Sequence, residues 1–505
     1  MTKGSTKAQS TKSKVEGPNG TDETPLEPQS ADLFLVTFNC PKDSENPRDW
    51  SLARKWMVTS VLSATGFNRI MVSTIMAPAL PAIASELHIS NEFESVMTMT
   101  VYLLATAFGP LVFGPLAEIY GREPLLHATN LWFLIWNAVC GFAHQKSLLI
   151  TARLLAGLGA GAVYVLASGV LGDVWCPEQR GRSLGMYLLI PLLGVAVGPI
   201  IGGFIVAGTT WRWIFWSTSI FQVVMTMVSV PIFQETYAPL ILCRKARRLR
   251  IQNGDHRYHT TNEKLTEGHS AFYLLKWSLS RPIRLLIFHH IVQIQACLSG
   301  LSYGILYLVL SSYSDLWTST YHESVSTSGL HYISVCVGEI IGAQIGGFLM
   351  DHIFGRLKAR ANGITKPEHH VPIMIPASLV TLLGLLLYGW GAQGRRSWLI
   401  VDFGVAIFTC GQQITGQALQ AYVIDTTAEF VSSASASSQL FRSLCAFGFP
   451  LFAPAMHSAL GYGWANTLLG LVLVIFTVPA ALAILLYGDK LRMKCEGELK
   501  AETMS

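Results

Sequence analysis

The sequence predicts an all-helical membrane protein of twelve membrane-spanning helices in two pseudo-symmetric six-helix bundles, and three observations carry that reading. The chain is poor in charge, apolar runs of spanning length recur through most of it, and basic residues cluster in alternate loops. Of 505 residues, 51% are hydrophobic and only 13% charged, against roughly 25% charged in soluble domains. A soluble core does not require that deficit, because soluble proteins keep a charged outer face. A bilayer-embedded protein turns apolar side chains outward as well.

A hydrocarbon layer of about 30 Å takes about 20 apolar residues per helix. Runs of that kind fall near 56–80, 95–116, 125–143, 148–172, 184–207 and 213–233, then near 283–310, 327–350, 371–391, 398–422, 437–460 and 464–487. Lys and Arg concentrate before the first run (Arg48, Arg54, Lys55), between the sixth and seventh (Arg244, Lys245, Arg247, Arg248, Arg250) and after the last (Lys490, Arg492, Lys494). They recur in alternate short loops at Arg122, at Arg180 and Arg182, and at Arg356, Lys358 and Arg360, whereas the opposite loops hold Lys146, Arg212, Arg395 and Arg396. By the positive-inside rule both termini and the central loop are cytoplasmic, which requires an even number of spans.

The expected organisation is a disordered cytoplasmic tail at 1–50, a first bundle at 51–240, a cytoplasmic central loop at 241–282, a second bundle at 283–490 and a cytoplasmic tail at 491–505. The first tail is too polar to offset chain entropy by burial, and its Asn19-Gly20-Thr21 sequon is read as incidental. The amphipathic part of the central loop suits the membrane surface or a solvated linker. Nine scattered cysteines without a C-x-x-C pair read as packing residues, neither disulfides nor metal ligands. The net charge of +5 sits in loops and reports topology, not nucleic acid. No metal or cofactor is expected, since His, Asp and Glu do not cluster at ligand spacing. That pattern also argues against a membrane enzyme, a receptor of seven helices has too few spans, and ATP has no phosphate loop to bind.

An internal repeat supports the division into halves. Gly114, Glu118, Gly121 and Arg122 end the second span, and Gly347, Asp351, Gly355 and Arg356 end the eighth. Each has an acid four residues after a glycine and then a Gly-Arg pair, a duplication found in several transporter folds. In the fourth span stands Arg153, followed by Gly157, Gly159 and Gly161. In the fifth stand Gly185, Gly194, Gly198, Pro199, Gly202 and Gly203, of which Gly194, Gly198 and Gly202 form one flat stripe.

With these residues in view the chain resembles the major facilitator superfamily, specifically its fungal twelve-span drug:proton antiporters, over roughly residues 47–490. The resemblance implies two six-helix bundles around a shared pathway. It implies that the Gly114–Arg122 motif biases which side is open, although Glu123 stands where a second basic residue is common. It also implies that Arg153 takes part in proton coupling and that the fifth-span glycine motif accompanies export. An arginine bound to backbone carbonyls is the structural alternative for Arg153.

A second stripe, Gly338, Gly342 and Gly346, lies in the eighth span. In the fold resembled, spans 5 and 8 meet between the halves, so the two stripes are expected to pack on each other; packing within each half is the alternative. Glu339 and Arg69 lie near mid-membrane and are expected to face the central cavity, with Glu339 exchanging protons or holding substrate, unless their burial is purely structural. Asn68, Tyr303, Tyr307, Gln413 and Gln417 are the candidates for the substrate lining, together with Gln412 and Gln420. Asp402, His289 and His290 are weaker candidates because they lie near boundaries.

The expected activity is secondary active transport, proton-coupled efflux of a drug, toxin or secondary metabolite. Uptake or facilitated transport of a nutrient or polyamine is the alternative. The partners expected are a small organic substrate, protons and the lipid bilayer, in a monomer of the plasma membrane or the vacuolar membrane.

Overall fold

The computed structural model describes residues 34–39, 42–175, 177–261, 263, 280, 283–360, 366–426 and 431–503. Asn19, most of the first tail and the central-loop residues 262, 264–279, 281 and 282 lie outside the described residues, as do the side chains of Glu118 and of residues 491–503. The first half contains α1 (Leu52–Thr74), α2 (Leu80–Glu86), α3 (Glu92–Tyr120), α4 (Arg122–Gly141), α5 (Lys146–Val174), α6 (Pro177–Gly208) and α7 (Arg212–Ile232), followed by α8 (Ala238–Asn253). The second contains α9 (His290–Asp315), α10 (Val325–Leu330), α11 (Ile333–Arg360), α12 (Met374–Gln393), α13 (Trp398–Thr426) and α14 (Val431–Thr503).

Local chemistry sets the ends. Asn91 accepts the amide of Phe93 at 2.9 Å and leads into Glu92 and Glu94, an N-cap with acids where the helix dipole favours them. Gly121, at φ +99°, turns α3 into α4 in one residue. Gly461, at φ +70°, breaks α14 into two limbs. Among the described residues ten stretches are long and apolar enough to cross a membrane, one of them the 57-residue Ala434–Lys490 that this break divides. The remaining span is α4, whose buried Thr129, Asn130 and Asn137 dilute its hydropathy. Those polar groups turn into the bundle: the Asn137 amide nitrogen donates to the carbonyl of Phe215 and to Thr218 on α7 at 3.0 and 2.9 Å. Large apolar side chains such as Met227, Phe403 and Leu486 are exposed, as lipid-facing residues should be.

Helix pairing repeats between the halves. α1 packs on α6 as α9 packs on α14, α3 on α5 as α11 on α13, and α4 on α7 as α12 on α14. Across the halves α3 meets the first limb of α14, through Thr106 and Ser443 at 3.2 Å, and α6 meets α10 and α11. A 3₁₀ turn at Ala77–Ala79 also touches α9 and α10. The halves are thus fastened at mid-length and at the α10 end. At the other end, among the described residues, no atom of another helix lies within 4 Å of where a side chain would start on Gly347 or Gly355 of α11.

The first tail is ordered at its end, contrary to the expectation of disorder up to residue 50. Asp43 accepts the Lys245 ammonium of α8 at 2.8 Å and Glu45 pairs with Arg248 at 2.8 Å. Leu35 and His259 form an isolated parallel bridge. The basic face of α8, too charged to enter lipid, supplies the surface on which this polar segment settles.

Candidate functional site

The glycine stripe of α6 packs within its own half, which corrects the expected pairing with α11. Side chains built on Gly194 and Gly198 would meet the Phe67 carbonyl at 2.9 Å and the Met71 carbonyl at 2.8 Å, both on α1. Gly338, Gly342 and Gly346 of α11 lie against Ala406, Cys410 and Gln417 of α13. The periodicity marks the face that needs close approach, but not the neighbour. The contact between α6 and the eighth span lies on another face of α6, where a side chain built on Gly203 would meet the Val325 carbonyl at 2.9 Å and one built on Gly329 would meet that of Pro199 at 2.8 Å.

Arg69 does not face a cavity beside Glu339, as depth alone had suggested. It is fully buried in the first bundle, where it donates to Gln222 at 3.0 Å and to Asn130 at 2.8 Å and lies over the ring of Phe133. Asn68 shares that cluster, bonded to Gln222 at 3.1 Å. Arg153 is equally buried, and it donates to the backbone carbonyls of Val72 on α1 and Met99 on α3, each at 3.1 Å. A guanidinium used in this way ties two helices through groups that never change charge. Gly157 and Gly161 beside it allow α5 to close on α3 at Tyr102 and Gly109.

Arg122 follows the sharp turn at Gly121 and pairs with Asp173 of α5 at 2.6 Å. Its amide donates to Glu235, whose same oxygen also accepts the amides of Thr236 and Tyr237. Thr236 reaches Asp173 at 3.3 Å. The hub therefore joins the ends of α4 and α5 to the segment before α8. Its counterpart is different: α11 runs unbroken through Gly355 to Arg360, and Asp351 and Arg356 are exposed, with no ion pair between them among the described residues. The extra residue of the second copy keeps the helix going where Gly121 ends its own. Gly185 lies in α6, nine residues before the stripe.

Glu339 is 5% exposed, and its Oε2 atom has no hydrogen-bond partner. It sits on α11 next to Gly338, whose own face packs on α13. Gln413 and Gln417 belong to the same seam, against Gly342 and Gly346, and Gln412 donates to the Ser302 carbonyl at 3.0 Å. Tyr303 and Tyr307 of α9 do reach the boundary between halves, where the Tyr307 hydroxyl bonds Ser73 of α1 at 3.0 Å.

Arg442, which the sequence reading passes over, completes this boundary. Its guanidinium lies 4.2 Å from the centre of the Tyr303 ring and bonds Gln439 on its own helix. It is within electrostatic reach of Tyr307 and of Tyr164, which belongs to the opposite half. A second cluster lies at the α10 end: His331 holds Asp402 at 2.8 Å through Nδ1 and Glu323 at 2.9 Å through Nε2, and Tyr313 donates to Asp402 at 2.5 Å. Asp402 is thus part of a network rather than a solvated boundary group. His290 meets Gln293 at 3.2 Å at the entry of α9, with His289 buried before it.

A family model described as Major Facilitator Superfamily matches residues 62–450. A protein of Aspergillus flavus named "Probable efflux pump mfs2" is 52% identical over 418 residues, which cover 83% of this chain and 98% of that one. "Efflux pump vrtL" of Penicillium aethiopicum is 37% identical and covers 94% of each chain. Among solved structures, the proton:xylose symporter XylE with a bound bromo-deoxyglucose aligns at a TM-score of 0.62 and 14% identity, over 86% of this chain and 96% of that one. An inward-open form of the same transporter from E. coli also aligns at 0.62, over 85% and 95%.

Proposed function

The chain belongs to the major facilitator superfamily, and from that premise we propose that it exports small organic compounds in exchange for protons. The observation that carries this reading is likeness over nearly the whole length to relatives named as efflux pumps. The fastening of the halves at the α10 end fits one state of an alternating-access carrier, and the direction rests on the named relatives. With both termini cytoplasmic, as the basic loops imply, that end faces outward and is closed. Substrate then enters from the cytoplasm, and rocking of the two bundles exposes it to the outside.

In this reading Glu339 is the group that exchanges protons. It is an ionisable side chain deep in the spans with an unsatisfied oxygen, and such groups mark ion pathways in membrane proteins. Arg153 and Arg69 act instead through position, because each is spent on fixed partners inside the first bundle. The protein works as a monomer in the plasma membrane, with protons and one small organic substrate as its partners.

Inside-out vesicles with an acidified lumen, incubated with a fungal metabolite extract, test the proposal. Vesicles bearing the protein should concentrate specific compounds, identified by mass spectrometry, and a protonophore should abolish the gradient. Glu339→Gln should lose accumulation but keep downhill exchange. Accumulation that ignores the protonophore would sink the proton coupling, and so would a Glu339→Gln protein with normal activity and normal pH dependence.

A further inference from the structure

We propose that the boundary between the halves binds organic anions with a flat aromatic body, and that Arg442 is the residue selecting for negative charge. This rests on the export reading for its biological sense, but it concerns recognition alone. Three arginines lie deep in the spans, and two are sealed. Arg69 and Arg153 are 0% exposed, and both ends of each guanidinium fork are taken by amides or carbonyls. Arg442 differs in each respect. It is only partly buried, its one hydrogen bond among the described residues goes to Gln439 a turn earlier, and no carboxylate pairs with it there.

An uncompensated cation at mid-membrane is costly and is retained where it faces a water-filled path or a ligand. No ion pair joins Glu339 to it among the described residues, and the Glu339 Oε2 atom has no hydrogen-bond partner there. Most of the five donors of Arg442 are therefore unspent, and a planar fork of N–H groups matches a carboxylate or phenolate better than a neutral acceptor. The surroundings define the rest of the ligand. The guanidinium already lies on the face of Tyr303, while Tyr307 and, from the opposite half, Tyr164 stand within its field. Tyrosine rings offer flat apolar contact with a hydroxyl at the rim, suited to aromatic ring systems that carry oxygen. Because Tyr164 and Arg442 come from different halves, a ligand held by both would move with the closure of one bundle on the other.

The test is equilibrium dialysis of the purified full-length protein against three probes of one shape: 2-naphthoate, 2-naphthamide and 2-naphthyltrimethylammonium. The expected result is binding of naphthoate about ten-fold tighter than the amide, the scale of one charge-assisted hydrogen bond, with the ammonium weakest. Arg442→Gln should erase the difference between naphthoate and amide, and Arg442→Lys should keep part of it. Equal binding of all three probes, failure of naphthoate to bind, or a preference that survives in Arg442→Gln would overturn the assignment. The probe series on the unaltered protein decides the matter even if Arg442→Gln does not fold. A protein that pumps in vesicles but shows no anion preference refutes this inference alone, and one that binds anions but moves nothing refutes the export reading alone.

Discussion

His331 lies face to face on Trp317, with ring centroids 3.6 Å apart and planes 9° from parallel. The stack holds the imidazole edge-on to two carboxylates, Asp402 on α13 and Glu323 just before α10. A neutral imidazole has one N–H and can donate to only one of them, so both contacts together require one further proton shared in the cluster. The other polar groups facing it are the hydroxyls of Tyr313, on Asp402, and Ser334; Tyr321 bonds the Arg396 carbonyl nearby. Since Glu323 and His331 bracket α10, and α10 carries the contact of Gly329 with Pro199, the cluster backs the seam between the halves at the α10 end.

The first prediction concerns that seam. Amide exchange across residues 321–334, corrected for intrinsic rates, should be about ten-fold slower at acid than at alkaline pH, the worth of a charged hydrogen bond of roughly 1.5–3 kcal/mol. His331→Gln should show the fast rate throughout. A pH step that persists in His331→Gln would show that another group sets it.

The second concerns the docked tail, which lies outside the spans. Asp43 accepts the Asn39 amide, the Lys245 ammonium and the Glu45 amide, and these hold its carboxyl down from 3.8 to about 2, the Asn39 hydrogen bond contributing most. Because the folded value is depressed, the stabilisation is complete above the ordinary carboxylate value and is lost as pH falls through about 2. Pepsin should therefore leave the 42–50 segment intact near pH 4 and cut it near pH 2. Asp43→Asn should be cut at both, and resistance of that variant at pH 4 would remove Asp43 from the account.

The spans were legible because bilayer thickness imposes a run length on any sequence that crosses it, and even α4 could be placed despite its polar face. Direction around a helix was much less legible. Arg69 stood out as a cation inside an apolar run, but only the positions of Asn130 and Gln222 show that it points into the first bundle. The glycine periodicity of α6 gave a face and left its partner, α1, open. The Arg122 hub was half visible: its partners Asp173 and Glu235 lie 51 and 113 residues away, and no spacing rule links them. Arg442 carried a usable signal, a cation inside an apolar run. It stands five residues into that run, and only the start of α14 at Val431 reveals its depth.

The third prediction addresses the hub. The side chains of Arg122 and Asp173 are 12% and 20% exposed, between the cheap surface pair and the costly buried one. Asp173→Asn should slow transport about ten-fold while lowering stability by only about 1–2 kcal/mol, within that range. Exchanging the two residues, Arg122→Asp with Asp173→Arg, should restore part of the rate because the charge pair is retained. Transport rates and melting temperatures of the two variants and the unaltered protein decide it, and an unaltered rate in Asp173→Asn would reduce the pair to a helix tie.

The last prediction separates close packing within a half from packing between halves. A methyl group on Gly198 would stand 2.7 Å from Thr74 Oγ1 and 2.8 Å from the Met71 carbonyl, and backbone cannot yield as a flexible side chain does. Gly198→Ala should therefore force α1 and α6 apart at a cost of about 1–3 kcal/mol, typical of an overpacked core. Gly448 has nothing within 4 Å, so Gly448→Ala should be neutral or slightly stabilising, through helix propensity. Gly329→Ala acts elsewhere: its methyl would meet the Pro199 carbonyl at 2.8 Å, across the seam that opens during a transport cycle. The closed state alone bears that clash, so the variant should shift the protein toward the outward-open form with little loss of melting temperature. Spin labels on α6 and α10 would report a longer separation in Gly329→Ala than in Gly198→Ala; equal separations would show that the seam at Gly329 does not gate the pathway.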